Sequence, residues 1–291
     1  MKAAVLKTFG SPLAIESVPD PVPGTGEVIV EVAASKVLAY AGEVLGGQRK
    51  YLLDPPAIPG PGGVGRVRSV GPDATRLAVG DWVFCDPTVR SRDDTLAPDI
   101  LLQGLTAGGP GGQRLQKYFH DGAWAERVRI PTENAIRIGD IAPDEAPRWC
   151  CLGTLLVPYG GLLAVGLMSG ETVLVNGATG AFGGAGVAVA LAMGAACVIA
   201  TGRNGPTLES LARRFGSRVV GVQMHGQEDD DRQRILTAAP GPIDVVLDLL
   251  PPAATPGQVR TAVLAVRPYG RVVLMGGVGT QGGADLGLPY G

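Results

Sequence analysis

The chain has 291 residues, enough for one large domain or two of ordinary size. Its 25 Lys and Arg residues nearly balance 27 Asp and Glu residues, and no basic run stands out, which argues against a nucleic-acid surface or a polybasic membrane surface. Four cysteines without a Cys-x-x-Cys pair suit neither a zinc site nor a disulfide framework, and the opening MKAAVLKTFG is too short in its apolar part for a signal peptide. A cytoplasmic protein is expected.

The first half of the chain is predicted to consist of short strands. In EVIVEVA (27–33), Val28, Val30 and Val32 alternate with open positions, which is the period of a half-buried strand. Similar patterns occur at 64–71, 79–85 and 123–130, and turn signals separate them. This arrangement favours a small β-barrel. The segment 86–117 shows little periodicity and is expected to be an irregular loop.

An uncharged run at 149–168 has the length of a membrane helix, which needs about 20 apolar residues. Pro158 and four glycines interrupt this run, and an alternation of strands and helices begins directly after it. A buried helix or an inter-domain segment is therefore favoured over a membrane span.

After residue 170, apolar strands alternate with helices. The pattern predicts strands at 171–176, 196–201, 218–222, 243–248 and 271–275, with helices at 181–193, 208–216, 228–238 and 258–266. Such alternation indicates a parallel sheet that is covered on both faces. The chain is therefore predicted to be an α/β protein, with a β domain at 1–150 and a doubly wound domain at 151–291.

Three evenly spaced glycines in VNGATGAFGG fall between a predicted strand and a predicted helix. Glycines at such a place can make the tight turn, let the backbone approach a pyrophosphate and let the helix pack close to the strand. The helix N-terminus presents N–H groups and a partial positive charge to the anion. A flexible turn without a ligand is the alternative, but this context favours dinucleotide binding. The predicted binding residues are Gly177, Thr179, Gly180, Ala181, Phe182 and Gly183.

The end of the following strand is the place where the nucleotide is selected. It reads Thr201, Gly202, Arg203 and Asn204, with no acid to bond the ribose hydroxyls of a non-phosphorylated cofactor. An arginine makes charge-assisted bonds to a 2′-phosphate, which a carboxylate would repel. NADPH is therefore the predicted cofactor, and a solvated surface arginine is the alternative.

Both halves together resemble the medium-chain dehydrogenase/reductase superfamily, and within it the zinc-independent, quinone-oxidoreductase-like branch. The resemblance spans nearly the whole chain and includes the stretches IPGPGGVGRVRSVGPDATRLAVGDWVF, DGAWAERVRIPTENAIRI and VLVNGATGAFGG. It implies a GroES-like β-barrel domain followed by a Rossmann domain. It also implies that the nicotinamide is bordered by Leu249, Leu250, Gly276, Gly277 and Val278.

The metal ligands of the zinc-dependent relatives have no counterparts here. The resemblance places their first ligand near Lys36 to Leu38, their Gly-His-Glu at Gly60 to Gly62 and their third ligand at Gly153 or Thr154, where this chain has neither cysteine nor histidine. The loop 86–117 contains none of the four cysteines that hold a structural zinc ion in those relatives. Zinc needs about four N, S or O ligands, so no metal is expected.

The substrate pocket that the resemblance implies is apolar. Leu38 and Ala41 stand where quinone reductases often carry Asn and Asp, and Val157 stands for the usual threonine near the nicotinamide. Without zinc, polarisation of the acceptor must come from a side-chain donor, backbone N–H groups or water. Tyr40 and Tyr159 are the candidate donors, since a phenol donates a proton near its pKa of about 10; packed tyrosines are the alternative.

The expected function is NADPH-dependent, zinc-independent transfer of a hydride to a small-molecule quinone, enone or similar activated carbonyl compound. The alternative is a non-catalytic NADPH-binding sensor or structural protein of the same fold, which the apolar pocket favours somewhat. Only five of the six strands of such a sheet are recognised. Residues 278–291 are therefore expected to pair with a second chain, giving a homodimer, or the chain lacks a C-terminal portion of the natural protein.

Overall fold

The computed structural model describes residues 1–277 and Leu286, and it divides the chain into two compact units. The first unit is Met1–Gly153, and the second begins at Thr154. The strands of the first unit are β1 (Lys2–Val5), β2 (Ala14–Ser17), β3 (Glu27–Ala34), β4 (Gly63–Val70), β5 (Trp82–Cys85), β6 (Thr88–Arg90), β7 (Ile100–Leu102), β8 (Thr106–Gly108), β9 (Arg127–Pro131) and β10 (Ala135–Arg137). Its helices are α1 (Ala41–Leu45), α2 (Gly109–Tyr118) and α3 (Ala146–Trp149).

The centre of the first unit is an antiparallel sheet with the strand order β10-β5-β4-β3-β9. Val28 and Val30 of β3 are fully buried and pack with Val67, Val83 and Val128 of the neighbouring strands. The strands predicted at 27–33, 64–71, 79–85 and 123–130 are thus confirmed, although the last two begin later, at Trp82 and Arg127. Strands β1 and β2 form a separate antiparallel pair.

The prediction of an irregular loop at 86–117 is wrong. Strands β6, β7 and β8 form an antiparallel sheet there, and α2 follows it directly. Each of these strands has three residues and buries only its middle one, Val89, Leu101 or Ala107, so no periodicity is visible in the sequence. The glycines of AGGPGGQ begin the helix: a Cβ at Gly112 would overlap the carbonyl oxygen of Ile100.

The second unit is a parallel sheet with helices between its strands. Helix α4 (Leu152–Ala164) contains the boundary between the units. The elements that follow are β11 (Thr172–Asn176), α5 (Ala181–Ala192), β12 (Cys197–Gly202), α6 (Gly205–Phe215), β13 (Val219–Gln223), α7 (Glu228–Ala238), β14 (Ile243–Asp248), α8 (Pro256–Val263) and β15 (Val266–Leu274). The strand order β13-β12-β11-β14-β15 is that of a dinucleotide-binding sheet over its first five strands.

Both faces of this sheet are covered, as predicted. Val173 and Val175 of β11 pack on one side with Val187 of α5, whereas Leu174 packs on the other side with Ile235 of α7. The strand predicted at 271–275 begins earlier, at Val266, and shortens the helix before it. The expected pairing of residues 278–291 with a second chain concerns residues outside the described part of the chain, apart from Leu286, and stays a prediction.

The uncharged run at 149–168 folds largely into α4, which buries one side only. Pro158, Gly161 and Leu162 are buried, whereas Leu156 and Leu163 are about half exposed. In the described part of the chain, no helix combines the length and the apolar character that crossing a membrane requires.

Candidate functional site

Polar residues end three adjacent strands of the parallel sheet at the same edge. Asn176 ends β11, Asp248 ends β14 and Thr201 lies near the end of β12, and all three are at most 3% exposed. The Asn176 amide donates to Asp248 Oδ1 at 2.8 Å and to the carbonyl of Gln258 at 3.2 Å. The Thr201 hydroxyl donates to Asn176 Oδ1 at 2.9 Å and to the carbonyl of Val175 at 3.3 Å. We call these three side chains the Asn176–Thr201–Asp248 network.

The carboxyl group of Asp248 is the titratable member of this network. Burial raises its pKa from 3.8 to about 6, while the Asn176 amide and the backbone N–H of Leu250 oppose the rise by donating hydrogen bonds to the carboxylate. The network thus joins the ends of three strands through buried polar contacts. It lies directly beneath the glycine turn, because Thr201 also accepts the backbone N–H of Ala178 through its carbonyl, at 2.8 Å.

The glycine turn has the geometry that the sequence predicts. Gly177 follows β11 with a φ of +86°, a conformation that favours glycine. A Cβ at Gly183 would overlap the carbonyl oxygen of Gly177, so only glycine lets α5 pack this closely on the turn. Gly180 precedes the helix, and a Cβ there would lie 3.5 Å from its nearest neighbour, the same carbonyl oxygen. Gly177 and Gly183 therefore shape the turn, while Gly180 leaves its outer side open.

The N-terminus of α5 offers a place for an anion. No side chain caps the helix, and Gly180 and Ala181 are exposed there, with Thr179 and Phe182 half-buried beside them. The first backbone N–H groups of a helix have no intrahelical acceptors and carry a partial positive charge. These residues fit the pyrophosphate of a dinucleotide, because the backbone approaches closely and brings no negative side chain.

The other segments that the sequence predicts for the cofactor gather around this turn. A Cβ at Gly177 would lie 3.3 Å from Leu250 Cδ2 and 3.4 Å from the backbone of Leu249. A Cβ at Gly276 would lie 2.5 Å from the carbonyl oxygen of Leu250, and the N–H of Gly277 donates to that oxygen at 2.9 Å. The prediction for Val278 concerns a residue outside the described part of the chain.

The residues at the end of β12 divide into buried and exposed ones. Thr201 is fully buried and supports the turn from beneath through its hydrogen bond with Ala178. Its predicted contact with the cofactor stays a prediction. Gly202 lies against Thr179. Arg203 is exposed, and within the described residues no carboxylate lies within ion-pair distance of its guanidinium group. Asn204 caps α6 by accepting the N–H of Thr207 at 3.1 Å, which gives it a structural role.

In the first unit, the structure brings together the three positions at which the resemblance places zinc ligands. The Ser35 hydroxyl donates to the carbonyl of Gly62 at 2.7 Å. The neighbouring Lys36 extends toward Gly153, where a Cβ would lie 2.8 Å from Lys36 Nζ. An ammonium group does not ligate zinc, and glycine has no ligand atom in its side chain. Across the described residues, no three His, Cys, Asp or Glu side chains cluster so as to hold a metal ion. The donor set therefore does not fit zinc.

The predicted apolar substrate positions border a narrow cleft within the first unit. Leu38 and Ala41 line it with Val44, Leu53 and Trp124, and its volume is about 10 Å³, room for about one water molecule. The lining is apolar and offers few hydrogen-bond partners. Val157 lies half-buried in α4 of the second unit.

The two candidate tyrosines differ in their surroundings. Tyr40 precedes α1, its hydroxyl bonds to Tyr51, and the Arg49 guanidinium lies 4.1 Å from its ring centroid. Burial, first of all, raises the pKa of Tyr40 to about 12, which makes this phenol a poor proton donor. Tyr159 lies in α4 and is 41% exposed. Tyr40 is thus better explained as a packed residue, and Tyr159 keeps its predicted role as a proposal.

Sequence reasoning missed Asn176, Asp248 and Lys36. The first two carry a visible signal, because each is a polar residue that ends an apolar run, in VLVN and in VVLD. Polar groups at the carboxyl ends of parallel strands mark the edge at which such sheets bind ligands. Lys36 carries no local signal, since its neighbour Gly153 is remote in the sequence.

Comparisons with known proteins agree with this geometry. A profile of the alcohol dehydrogenase GroES-like domain matches residues 24–140. An alcohol dehydrogenase of Geobacillus stearothermophilus is 30% identical over 287 residues, which cover 95% of this chain and 77% of that protein. An acryloyl-coenzyme A reductase of Metallosphaera sedula is 27% identical, with 100% and 81% covered. Among solved structures, a dehydrogenase of the zinc-binding type from Sinorhizobium meliloti 1021, with NADP bound, matches with a TM-score of 0.76 and 21% identity over 98% of this chain and 79% of that one. This last likeness concerns the fold.

Proposed function

Because the chain belongs to the medium-chain dehydrogenase/reductase family, we propose that it is an NADPH-dependent reductase that transfers a hydride to a quinone, an enone or a similar activated carbonyl compound without a zinc ion. The observation that carries this proposal is the glycine turn at the uncapped N-terminus of α5, joined to the exposed Arg203 at the end of the next strand. Together they provide an anion site for the pyrophosphate and a cation for a second phosphate.

The choice of NADPH over NADH is supported by the charges near the end of β12. Arg203 is exposed and close to the end of that strand, and the four residues 201–204 contain no carboxylate. A guanidinium group binds a 2′-phosphate through charge-assisted hydrogen bonds. Gln223 fixes the backbone here by donating to the carbonyl of Arg203 at 3.1 Å.

The choice of an activated carbonyl acceptor is supported by two features. The residues around Leu38 and Ala41 are apolar, which favours an acceptor whose reactivity comes from conjugation instead of from polar substituents. The Metallosphaera sedula relative is an acryloyl-coenzyme A reductase, so a family member acts on a conjugated acceptor. A zinc ion is not required in the proposal, because the donor set at the former ligand positions does not fit one.

The reaction divides between cofactor and protein. A bound dihydronicotinamide supplies the hydride. The turn from Gly177 to Gly183 would hold the pyrophosphate through backbone N–H groups, and the Asn176–Thr201–Asp248 network keeps the strand ends beneath that turn in register. Leu249 and Leu250 lie against the turn at Gly177.

The test is steady-state oxidation of NADPH over a panel of quinones, enones and aldehydes, with NADH in parallel. We expect turnover with at least one conjugated acceptor and a lower Kd for NADPH than for NADH. Tight binding of NADPH without turnover on any acceptor would favour the alternative, a cofactor-binding sensor, which the apolar residues Leu38, Ala41 and Val157 also suit. Absence of NADPH binding would defeat both.

A further inference from the structure

The space around Lys36 is built from the three places where zinc-dependent relatives carry their metal ligands. Ser35 and Lys36 follow the end of β3, the Gly60–Gly62 loop precedes β4, and Gly153 lies in the first turn of α4. The Ser35–Gly62 hydrogen bond joins the first place to the second. Lys36 Nζ joins the first place to the third, beside Gly153. The Lys36 ammonium group thus lies beside the places at which the resemblance puts the metal ligands of those relatives.

The backbone of Lys36 is held from the other side by a tryptophan. The Trp124 indole N–H donates to the carbonyl of Lys36 at 3.2 Å. Gly60 supports this ring, because a Cβ at Gly60 would overlap Trp124. Trp124 and Gly60 also line the apolar cleft, so the residue that holds the Lys36 backbone is itself part of that cleft.

The absence of a side chain at Gly153 gives the ammonium group its position. A Cβ at residue 153 would lie 2.8 Å from Lys36 Nζ, 3.2 Å from Lys36 Cε and 3.6 Å from Phe84 Cζ. The ring of Phe84 and the thiol of Cys150 are buried close by. A larger residue at 153 would displace the ammonium group from this space.

We propose that Lys36 is a catalytic residue, which binds the carbonyl oxygen of the acceptor and protonates it, in place of a zinc ion. The proposal rests on the reductase function proposed above and names the proton donor of that reaction. A positioned cation stabilises the negative charge that develops on oxygen as the hydride arrives. A positioned acid then completes the reaction by transferring a proton.

The bonds and charges balance in this step. A C–H bond forms at the acceptor as the hydride leaves the dihydronicotinamide, and the π electrons move onto the carbonyl oxygen. One N–H bond of the Lys36 ammonium group then breaks and an O–H bond forms. The neutral amine regains its proton from water, so one hydride and one proton are consumed in each turnover. For an enone, the hydride adds at the β-carbon and the resulting enol tautomerises to the saturated ketone.

The local electrostatics suit an acid. Burial lowers the pKa of the Lys36 ammonium group, and a smaller opposing effect comes from Cys150 only when its thiol is ionised. Burial in turn raises the pKa of the Cys150 thiol, so this neighbour stays neutral at physiological pH. A lysine with a lowered pKa gives up its proton more readily than an exposed one.

The first test compares Lys36→Met with Lys117→Met, a matched loss of one lysine at an exposed site. We expect kcat to fall about 100-fold or more for Lys36→Met alone, with the Kd for NADPH unchanged. The wild-type rate should decline as the pH rises through the pKa of Lys36, and this decline should be absent from the variant. Equal kcat values for the two variants would overturn the proposal.

A second variant keeps the lysine and moves it. Gly153→Ala adds a methyl group at 2.8 Å from Nζ, and alanine is well tolerated in a helix. We expect kcat to fall about tenfold or more while NADPH binding and the unfolding midpoint stay unchanged. An unchanged kcat for Gly153→Ala would contradict the placement of the ammonium group, whether or not Lys36→Met folds.

A third measurement does not depend on turnover. Acylation by acetic anhydride, followed by peptide mass spectrometry over a pH series, should give Lys36 a midpoint below 10.5, the ordinary lysine value. Bound NADP⁺ with cyclohexanone should protect Lys36 and leave Lys117 reactive. If the wild type turns over but Lys36 is not protected, the proposed role of Lys36 is wrong and the reductase function stands. If the wild type oxidises no NADPH, the proposed reductase function is wrong as well.

Discussion

Replacement of Asp248 by asparagine should change how the stability of the protein depends on pH. The carboxyl group is 2% exposed, and burial raises its pKa from 3.8 to about 6. Between these two pH values the folded state binds the proton more tightly than the unfolded state, so the free energy of unfolding falls as the pH rises. The contribution is complete below the unfolded pKa and is lost as the pH passes through the folded one.

The magnitude follows from the shift. A difference of about two pH units corresponds to about 3 kcal/mol at 1.36 kcal/mol per unit. Asp248→Asn removes the titration and keeps a side-chain oxygen that can accept from the Asn176 amide. We therefore expect the free energy of unfolding of the variant, relative to that of the wild type, to rise by about 3 kcal/mol from pH 3 to pH 8.

The assay is urea unfolding followed by circular dichroism at a series of pH values, with Asp244→Asn as the control. Asp244 lies in the same strand, accepts from the backbone N–H of Thr172 at 2.8 Å and pairs with Arg267 at 2.6 Å. These donors hold the pKa of Asp244 below its ordinary value, so its contribution to stability is lost as the pH falls. The two variants should thus give difference curves of opposite slope. A flat curve for Asp248→Asn would refute the reasoning about burial.

Three further predictions concern the cofactor and the metal. Arg203→Ala should weaken NADPH binding about tenfold or more and leave NADH binding unchanged, since a hydrogen bond to a charged group is worth roughly 1.5 to 3 kcal/mol. If fluorescence quenching shows that the wild type binds NADPH and NADH with equal affinity, the proposed role of Arg203 is wrong. Gly183→Ala should abolish NADPH binding and destabilise the protein by about 1 to 3 kcal/mol, because its methyl group would overlap the carbonyl oxygen of Gly177. Gly184→Ala, whose Cβ would lie 3.7 Å from its nearest neighbour, should bind normally, and equal thermal shifts for the two variants would contradict this. Elemental analysis should find no stoichiometric zinc, and chelators should leave activity unchanged; one tightly held equivalent would show that the donor set has been misjudged.

The parallel sheet was predictable because its signals are local. Each buried strand is a run of Val, Ile or Leu, and each helix shows its own period, so Leu174 and Ile199 mark their strands without reference to the fold. The glycine turn was predictable for the same reason. Gly177 and Gly183 follow a strand at a fixed spacing, and the close approach of the helix depends on these few residues.

The features that were missed depend on contacts between distant segments. Strands β6 to β8 bury one residue each, so their pairing is specified by neighbours and not by a pattern. Thr201 is buried because it makes hydrogen bonds to the ends of other strands. Its position in the sequence alone does not show whether it supports the glycine turn or contacts the cofactor. The position of Lys36 depends on a space that Gly153 leaves open on a different element.

The Asn176–Thr201–Asp248 network also restricts how this sequence can change over evolutionary time. The Asn176 amide uses its N–H₂ group for Asp248 and for the carbonyl of Gln258, and its oxygen for Thr201, so the amide orientation is fixed by three partners. An apolar residue at position 176 alone would remove one hydrogen bond from the buried Asp248 carboxylate and one from the buried Thr201 hydroxyl, at about 1 to 3 kcal/mol for each lost bond. The carboxylate would keep only the N–H of Leu250, and the hydroxyl only the carbonyl of Val175. Replacement of all three by apolar residues of similar volume removes that penalty. Substitutions at these positions are therefore expected to co-vary, and single changes should be purged by selection on folding long before they affect the cofactor.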